Sequence, residues 1–216
     1  MCLKLNKQLK AEWKRKIVFY GFFYFKWIGI KNGNKKCCFI GHRKIPNDVS
    51  IEKSVRDVIE MLILKENVRI FNFGSRSDFD TLCHSIVTDL KEKYNDIQRR
   101  AYTCRSETCT LESEREYWEE IYSHFEKRPV TLLGVEEEVE HKTKYSSGKA
   151  SYVERNYAMI DDSDFCVFYY NEKYQPQRRK ESKRSIGTYQ PKSGTKIAYD
   201  YAKRKNKKII NIYQEE

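Results

Sequence analysis

The sequence predicts an α/β protein with a Rossmann-like three-layer sandwich and a mainly parallel central sheet. From residue 36 onward, short apolar runs alternate with amphipathic stretches, as they do in chains of strand and helix units. Two of these runs end at Gly41 and Gly74, as strands do when they lead into loops. Hydrophobic residues make up 39% of the 216-residue chain, which is enough for a packed core.

The first half of the pattern contains three strands and two helices. Residues 37–41, Cys-Cys-Phe-Ile-Gly, predict the first strand. Ser50 is the predicted N-cap of the first helix, because apolar residues recur at helical spacing from Ile51 to Ile63. The remaining elements of this half are a strand at 68–73, a helix at 79–94 and a strand at 97–102.

The second half continues the alternation after a stretch of weaker signal. In chain order we predict a helix at 112–125, a strand at 130–135, a charged surface stretch at 136–144, a helix at 152–160, a strand at 164–170, a long loop at 171–192, a helix at 195–204 and a strand at 208–213.

Most of the positive charge lies at the start of the chain. Residues 1–36 contain ten Lys and Arg and one acid, Glu12, and so contribute +9 of the formal charge of +11. We interpret residues 1–35 as a basic, aromatic-rich extension, either poorly ordered or translated from an upstream start codon, and residues 36–216 as the domain. Because that domain is nearly neutral, DNA is not expected as a partner.

The apolar run at 17–30 raises the question of a membrane segment. It is shorter than the roughly 20 residues that span a bilayer, Lys26 interrupts it, and no small-residue cleavage site follows. We therefore predict no firm membrane association, with an interfacial basic segment as the alternative.

The seven cysteines show no spacing typical of a disulfide framework, which favours free thiols in a reducing, cytoplasmic environment. Cys104, Cys109, His84 and His124 are the residues from which a zinc site could be assembled. Since no Cys-x-x-Cys pair is present, we predict no metal site.

Three loops follow predicted strands and are small or basic: residues 41–43, 74–78 and 193–195. In open parallel sheets, ligands bind beyond the carboxyl ends of the strands, where helix N-termini present free N–H groups. None of the three is a complete G-x-G-x-x-G or Walker A sequence, so the prediction depends on their combination.

Four strings carry a resemblance to a known superfamily. They are Cys-Cys-Phe-Ile-Gly-His-Arg (37–43), Phe-Gly-Ser-Arg-Ser-Asp-Phe-Asp (73–80), Tyr-Val-Glu-Arg-Asn-Tyr-Ala-Met-Ile-Asp-Asp-Ser-Asp-Phe (152–165) and Ser-Gly-Thr-Lys-Ile-Ala-Tyr-Asp-Tyr-Ala (193–202). These strings, and the order in which they occur, resemble the YpsA-like branch of the SLOG superfamily. The superfamily is named for the Smf/DprA and Lonely Guy proteins. The resemblance spans residues 36–213 and implies a Rossmann-like sheet with a nucleotide-type ligand.

The resemblance also implies roles for particular residues. Lonely Guy enzymes cleave the base from a nucleoside monophosphate, and the position matching their catalytic Arg is Arg155. Their phosphate loop matches Gly194 and Thr195. Where those enzymes have a Glu shortly after this pair, the present chain has Ile197 and Ala198, so stabilisation of a ribosyl cation lacks its carboxylate.

Each candidate also has a structural alternative. Asp80 could cap the second helix, the Gly-Thr pair could cap the last one, and Arg155 could pair with Glu154 or Asp161. The predicted ligand-binding residues are Gly41, His42, Arg43, Gly74, Ser75, Arg76, Asp80, Arg155, Asn156, Ser193, Gly194 and Thr195.

The sequence thus predicts a module that binds or senses a nucleotide or nucleotide-derived small molecule, without a further cofactor. The first alternative is a nucleotide N-glycosidase of Lonely Guy type in which Asp80, Asp161 or Asp164 replaces the missing acid. The second alternative is DprA-like DNA binding. Because the relatives commonly pair through helices, a homodimer is the favoured assembly.

Overall fold

The computed structural model describes residues 33–74, 77–104, 130–142, 144, 149–176 and 192–214. The chain divides into two units, Met1–Gly33 and Asn34–Glu216. Apart from Gly33, every described residue belongs to the second unit, which contains all the elements below.

One parallel sheet organises this unit. Its described strands are β1 (Lys35–Gly41), β2 (Val68–Phe73), β3 (Gln98–Cys104), β4 (Glu137–His141), β5 (Phe165–Tyr169) and β6 (Lys208–Asn211). The described helices are α1 (Val49–Glu66), α2 (Asp78–Lys93), α3 (Val130–Leu133), α4 (Lys149–Asp161) and α5 (Gly194–Arg204). The strand order is β4-β3-β2-β1-β5-β6, and every neighbouring pair is parallel. This topology confirms the predicted α/β Rossmann-like fold.

The sheet separates two hydrophobic cores. Because successive residues of a strand point to opposite faces, Cys37 and Phe39 of β1 pack into one core and Cys38 and Ile40 into the other. Buried residues of α1, α2 and α3 complete the first core, whereas residues of α4 and α5 complete the second. The result is a three-layer sandwich in which the central strand is buried on both faces.

Local polar contacts set where the helices begin. Helix α1 is capped by Asp48, whose carboxylate accepts hydrogen bonds from the N–H and the hydroxyl of Ser50. The prediction of Ser50 as the N-cap is therefore wrong by two residues, because the Asp48 carboxylate takes the hydroxyl that would have capped the helix. Ser77 caps α2 and Ser193 caps α5.

The strand predicted at 130–135 is also wrong. Val130 is buried, but it lies in the short helix α3, and the strand of this region is β4, inside the stretch predicted as a charged surface. Strand β4 is one of the two edge strands of the described sheet. Its glutamates therefore stay in solvent, and of its residues only Val139 packs against a core. An edge strand of this composition carries little apolar signal. The helix predicted at 112–125 lies outside the described residues.

The described cysteines are free and buried: Cys37, Cys38, Cys83, Cys104 and Cys166. Burial raises the pKa of the Cys37, Cys38 and Cys83 thiols, which keeps them protonated and unreactive.

Two kinds of feature are absent from the described ranges. No group of three or more His, Cys, Asp or Glu that could hold a metal ion is found there. Cys109 and His124, two members of the considered zinc set, lie outside these ranges. The same part of the chain has no helix that is both long and apolar enough to cross a membrane.

Candidate functional site

The order of the strands reverses direction at β1. Strands β2, β3 and β4 lie on one side of β1, and β5 and β6 lie on the other, with Gly41 paired with Tyr169 at the carboxyl ends. In open α/β sheets, ligands bind in the crevice outside such a switch point. The crevice here is bordered by the residues that follow β1, β2 and β5.

Gly41 joins three elements at this crevice. A Cβ atom at Gly41 would lie 2.4 Å from the Cβ of Phe79, so only glycine allows β1 and α2 to approach this closely. The Gly41 carbonyl accepts a hydrogen bond of 2.9 Å from the Thr195 hydroxyl. The end of β1 is thereby fixed between the first turns of α2 and α5.

The first turn of α5 faces the crevice with its backbone donors. The Ser193 hydroxyl accepts from the N–H of Lys196 at 3.0 Å, and the Ser193 carbonyl accepts from the N–H of Ile197 at 3.1 Å. Within the described residues, no hydrogen bond is found for the N–H groups of Gly194 and Thr195. A Cβ at Gly194 would meet no atom within 4 Å, so the space next to this turn is open. Such a turn favours an anion.

Asp80 holds the loop that follows β2. Its carboxylate accepts from the Gly74 N–H at 3.3 Å and from the Ser77 hydroxyl at 2.6 Å, while the Asp80 N–H donates to the Ser77 hydroxyl oxygen at 2.9 Å. This reciprocal arrangement resembles a capping box, with Ser77 as the cap. Asp80 is therefore not the N-cap of α2, as the alternative proposed. Its carboxylate instead holds the loop between β2 and α2 in place.

Arg155 of α4 lies beside this loop. Only 7% of Arg155 is exposed, and a Cβ at Gly74 would lie 3.1 Å from both the Arg155 Nη2 and the Asp80 Oδ2. Arg155 Nη2 also donates to the Asn156 side-chain oxygen at 3.1 Å, and the guanidinium lies 5.4 Å from the centre of the Tyr152 ring. A buried cation and a buried carboxylate therefore both lie beside Gly74, at the end of β2.

Burial raises the pKa of Asp80 above its ordinary value, and the Ser77 hydroxyl, Arg155 and the Gly74 N–H only partly offset this effect. Burial thus makes ionisation of Asp80 less favourable than it is in water.

The alternative pairing of Arg155 with surface acids is not observed. Glu154 accepts from the N–H of Lys144, and Asp161 accepts from the Tyr201 hydroxyl. Asp164 accepts from the N–H of Lys36, at the start of β1. Because all strands are parallel, these contacts place Asp161 and Asp164 at the edge of the sheet opposite the crevice.

His42 connects the ends of β1 and β5. Its Nε2 accepts from the Asn171 N–H at 3.0 Å, so the proton of the neutral ring lies on Nδ1, and the ring packs against Tyr174 with 4.2 Å between centroids. Burial lowers the pKa of His42. His42 therefore acts here as a neutral tether and does not present a cation to the crevice.

The remaining predicted residues differ in position. The side chain of Arg43 is exposed, while its carbonyl accepts from the Asp78 N–H at 2.9 Å. Ser75 and Arg76 lie outside the described residues. The structure thus brings Gly41, Gly74, Asp80, Arg155, Asn156 and the Ser193-Gly194-Thr195 turn to the same edge of the sheet.

The sequence reasoning missed two lysines near the α5 turn. Lys149, the first residue of α4, donates to the Lys192 carbonyl at 2.5 Å and so links α4 to the residue before the Ser193 cap. Lys196 donates to the Tyr170 hydroxyl at 3.1 Å and lines a cleft beside Tyr199 and Tyr213. The sequence signal for Lys196 was its position immediately after the Gly-Thr pair. Its ammonium group increases the positive potential around the turn.

Acidification should destabilise the fold through two histidines. Burial lowers the pKa of His42 and of His84, whose Nε2 donates to the Gly134 carbonyl. The unfolded chain, with histidine pKa values near 6.5, then binds protons more readily. The stability that these neutral rings contribute is present above about pH 6.5 and is lost as the pH falls. Between pH 7.5 and 5.5 we expect a loss of up to about 1 kcal/mol for each histidine.

Urea unfolding of wild type and of the double variant His42→Gln/His84→Gln at the two pH values measures this loss. Glutamine can accept at position 42 and donate at position 84 without titrating. The variant should lose most of the pH dependence, whereas His141→Gln, at the end of β4, should keep it. Equal slopes for all three proteins would contradict the assignment.

No protein-family model matches this chain, and no curated protein matches it. The fold is therefore established by the sheet topology, and the likeness to SLOG proteins stays a prediction from the four motifs.

Proposed function

We propose that this chain is a SLOG-type module that binds a nucleotide or nucleotide-derived small molecule at the carboxyl ends of β1, β2 and β5. The observation that carries the proposal is the docking of the first turn of α5 on the end of β1 through the bond from Thr195 to Gly41. This contact holds the positive end of a helix over the switch point of the sheet, which is where phosphate groups bind in folds of this class.

The charges around the turn support an anionic ligand. Lys149 and Lys196 flank the turn, and Arg155 lies behind the neighbouring strand end. Of the acids at this end of the sheet, Asp80 has both carboxylate oxygens engaged by the loop that it closes, and Asp200 pairs with Lys192 at 3.8 Å. A phosphate at the turn would therefore meet donors and cations, and the arrangement favours charge-assisted hydrogen bonds.

The same arrangement favours binding over cleavage of an N-glycosidic bond. Ala198 is buried in the second core, so it leaves no room for a carboxylate at that position of α5. Of the three acids considered as substitutes, Asp161 and Asp164 lie at the opposite edge of the sheet, and Asp80 is committed to its loop. A ribosyl cation would thus lack a free carboxylate among these residues.

A thermal-shift screen of the full chain tests the proposal. The probes are nucleoside mono-, di- and triphosphates, cyclic nucleotides and dinucleotides, with release of free base followed by chromatography. A ligand at about 100 times its dissociation constant should add about 2.7 kcal/mol of stability. We expect Arg155→Ala to lose this shift and Arg56→Ala, a half-buried arginine of α1 that pairs with Asp89, to keep it.

The outcomes separate the candidate functions. Stabilisation that depends on Arg155 without base release supports a binding module. Base release would instead establish the glycosidase, and the absence of any shift with all of these probes would reject nucleotide binding.

A further inference from the structure

A cleft lies between α5 and the ends of β5 and β6, next to the candidate site. Its rings are those of Tyr170, which follows β5, Tyr199 of α5 and Tyr213, which follows β6, and we call it the tyrosine cleft. Its volume is about 240 Å³. Sites for whole drug-sized ligands usually have roughly 300–1,000 Å³, so this cleft fits one part of such a ligand.

Hydrogen bonds between distant residues fix the shape of the tyrosine cleft. The Asn211 side-chain oxygen accepts from the Tyr170 N–H, and the Asn211 side-chain nitrogen donates to the Tyr170 carbonyl, both at 3.0 Å. The Asn171 side-chain nitrogen donates to the Tyr213 hydroxyl at 2.9 Å. The residues that follow β5 are thereby tied to the end of β6.

The tyrosine rings give the cleft flat walls of low polarity. The ring centres of Tyr170 and Tyr199 lie 4.6 Å apart, and Tyr199 packs edge-on against Phe168. Tyr170 is buried, whereas Tyr199 and Tyr213 are half-buried and keep part of their surface towards the cleft. Tyrosine surfaces of this kind suit a flat aromatic ring.

Hydrogen-bond donors line part of the cleft. Lys196 donates to the Tyr170 hydroxyl at 3.1 Å, so this hydroxyl keeps its own proton for another acceptor. The Tyr213 hydroxyl, which accepts from Asn171, also keeps its proton. Lys203 adds a cation, with its ammonium group 4.7 Å from the centre of the Tyr199 ring.

Two carboxylates supply acceptors in the same cleft. Glu172 is exposed, and Asp200 pairs with Lys192 at 3.8 Å. Because that distance is too long for a hydrogen bond, the Asp200 oxygens can still accept from a ligand. The cleft thus offers donors and anionic acceptors around a small aromatic space.

This combination matches guanine better than the other nucleobases. Guanine has two adjacent N–H donors, at N1 and at its 2-amino group, which one carboxylate can accept together. Its O6 and N7 atoms accept from lysines and hydroxyls. On adenine and cytosine the amino group lies next to a ring nitrogen that accepts, which a carboxylate would repel, and uracil has carbonyl oxygens on both sides of its N–H.

Lys196 connects the tyrosine cleft to the first turn of α5. It follows Thr195 directly, and its side chain reaches Tyr170. Tyr199 lies five residues after Gly194, which is about 7.5 Å along the helix axis. One nucleotide can therefore place its phosphate at the turn and its base in the cleft.

We propose that the tyrosine cleft binds the guanine base of a nucleotide whose phosphate lies at the first turn of α5. The base packs against Tyr199 and Tyr213, and Glu172 or Asp200 accepts from its N1–H and its 2-amino group. This assignment rests on the proposed function, because it needs the phosphate at the turn.

Isothermal titration calorimetry of the full chain tests the assignment with matched nucleotides. Guanosine monophosphate is compared with inosine monophosphate, and guanosine triphosphate with inosine triphosphate, since each pair differs only in the 2-amino group. The cleft variant is Glu172→Gln/Asp200→Asn, and the control, Asp57→Asn/Glu92→Gln, removes the same charge from exposed positions of α1 and α2. The ratio of the two affinities is taken within each protein, so a general effect of charge on phosphate binding cancels.

We expect wild type and the control to prefer the guanine nucleotide by about tenfold or more, which is the usual contribution of a hydrogen bond to a charged group. In the cleft variant the preference should fall below about threefold. Equal affinities in wild type, or an unchanged preference in the cleft variant, would overturn the assignment while leaving nucleotide binding in place. If none of the four nucleotides binds, the assignment is wrong, and the thermal-shift screen with other nucleotides decides whether the proposed function fails with it.

Discussion

Replacing Asp80 with Ala should lower the free energy of unfolding by about 3 kcal/mol, because the buried acceptor of two hydrogen bonds is lost and a hydrogen bond to a charged group is worth about 1.5 kcal/mol or more. The carboxylate accepts hydrogen bonds from the Gly74 N–H and the Ser77 hydroxyl, and the Arg155 guanidinium lies nearby, on the same side of Gly74. Its removal leaves both donors without this acceptor and takes a negative charge away from the vicinity of the buried Arg155 guanidinium. Urea unfolding at neutral pH measures the loss.

Two further variants separate charge from shape. Asp80→Asn should cost only about 1 kcal/mol, because Asn keeps the shape of the side chain and one of its two acceptor oxygens. In a double-mutant cycle, Asp80→Ala in an Arg155→Met background should cost less than in wild type, since no buried cation remains. If Asp80→Ala has the same cost in both backgrounds, the interaction between Asp80 and Arg155 does not contribute to the stability of the fold.

Much of the fold could be predicted because buried parallel strands give a strong signal. The runs at β1, β2 and β5 are almost wholly apolar, since helices cover both faces of the sheet, and they identify the three central strands. Strand β4 was not predicted, because an exposed edge strand has few apolar residues. Its residues Glu137, Glu138 and Glu140 are exposed, and pairing of Arg100 with Glu137 helps to hold it at the edge.

The sequence predicted the loops of the candidate site but not the hydrogen bonds between its residues. The sequence indicates that Gly41, Gly74 and the Gly194-Thr195 pair follow strands, and strand polarity brings them to one edge. No rule of spacing shows that Asp80 closes its own loop or that His42 is bonded to Asn171. Both contacts depend on packing between elements that are distant in sequence, so tertiary structure decides them.

The distribution of charge illustrates the same limit. The sequence alone shows two basic segments, residues 1–36 and 203–208, that lie about 170 positions apart. Only the parallel order β1-β5-β6 shows that Lys35, near the end of the first segment, and Lys208, at the end of the second, lie beside the same Phe165 ring and pair with the same Glu66.

Gly41→Ala should destabilise the fold by about 3 kcal/mol, at the upper end of the cost of adding a methyl group to a packed core. The new Cβ would lie 2.4 Å from the Phe79 Cβ, and this atom is held by the backbone of α2. A rotamer change of Phe79 cannot relieve the overlap, so β1 and α2 must move apart. That movement would also shift the Gly41 carbonyl that accepts from Thr195, and with it the turn of α5.

Chemical denaturation of Gly41→Ala beside Gly194→Ala measures this effect. Both variants add one methyl group at the same edge of the sheet, but a Cβ at Gly194 meets no atom within 4 Å. Gly194→Ala should therefore stay within about 0.5 kcal/mol of wild type. Since α2 and α5 both depend on the close approach at Gly41, its variant should also lose ligand-induced stabilisation while Gly194→Ala stays folded. Equal stability of the two variants would show that β1 and α2 have room to separate, and that Gly41 does not fix the crevice.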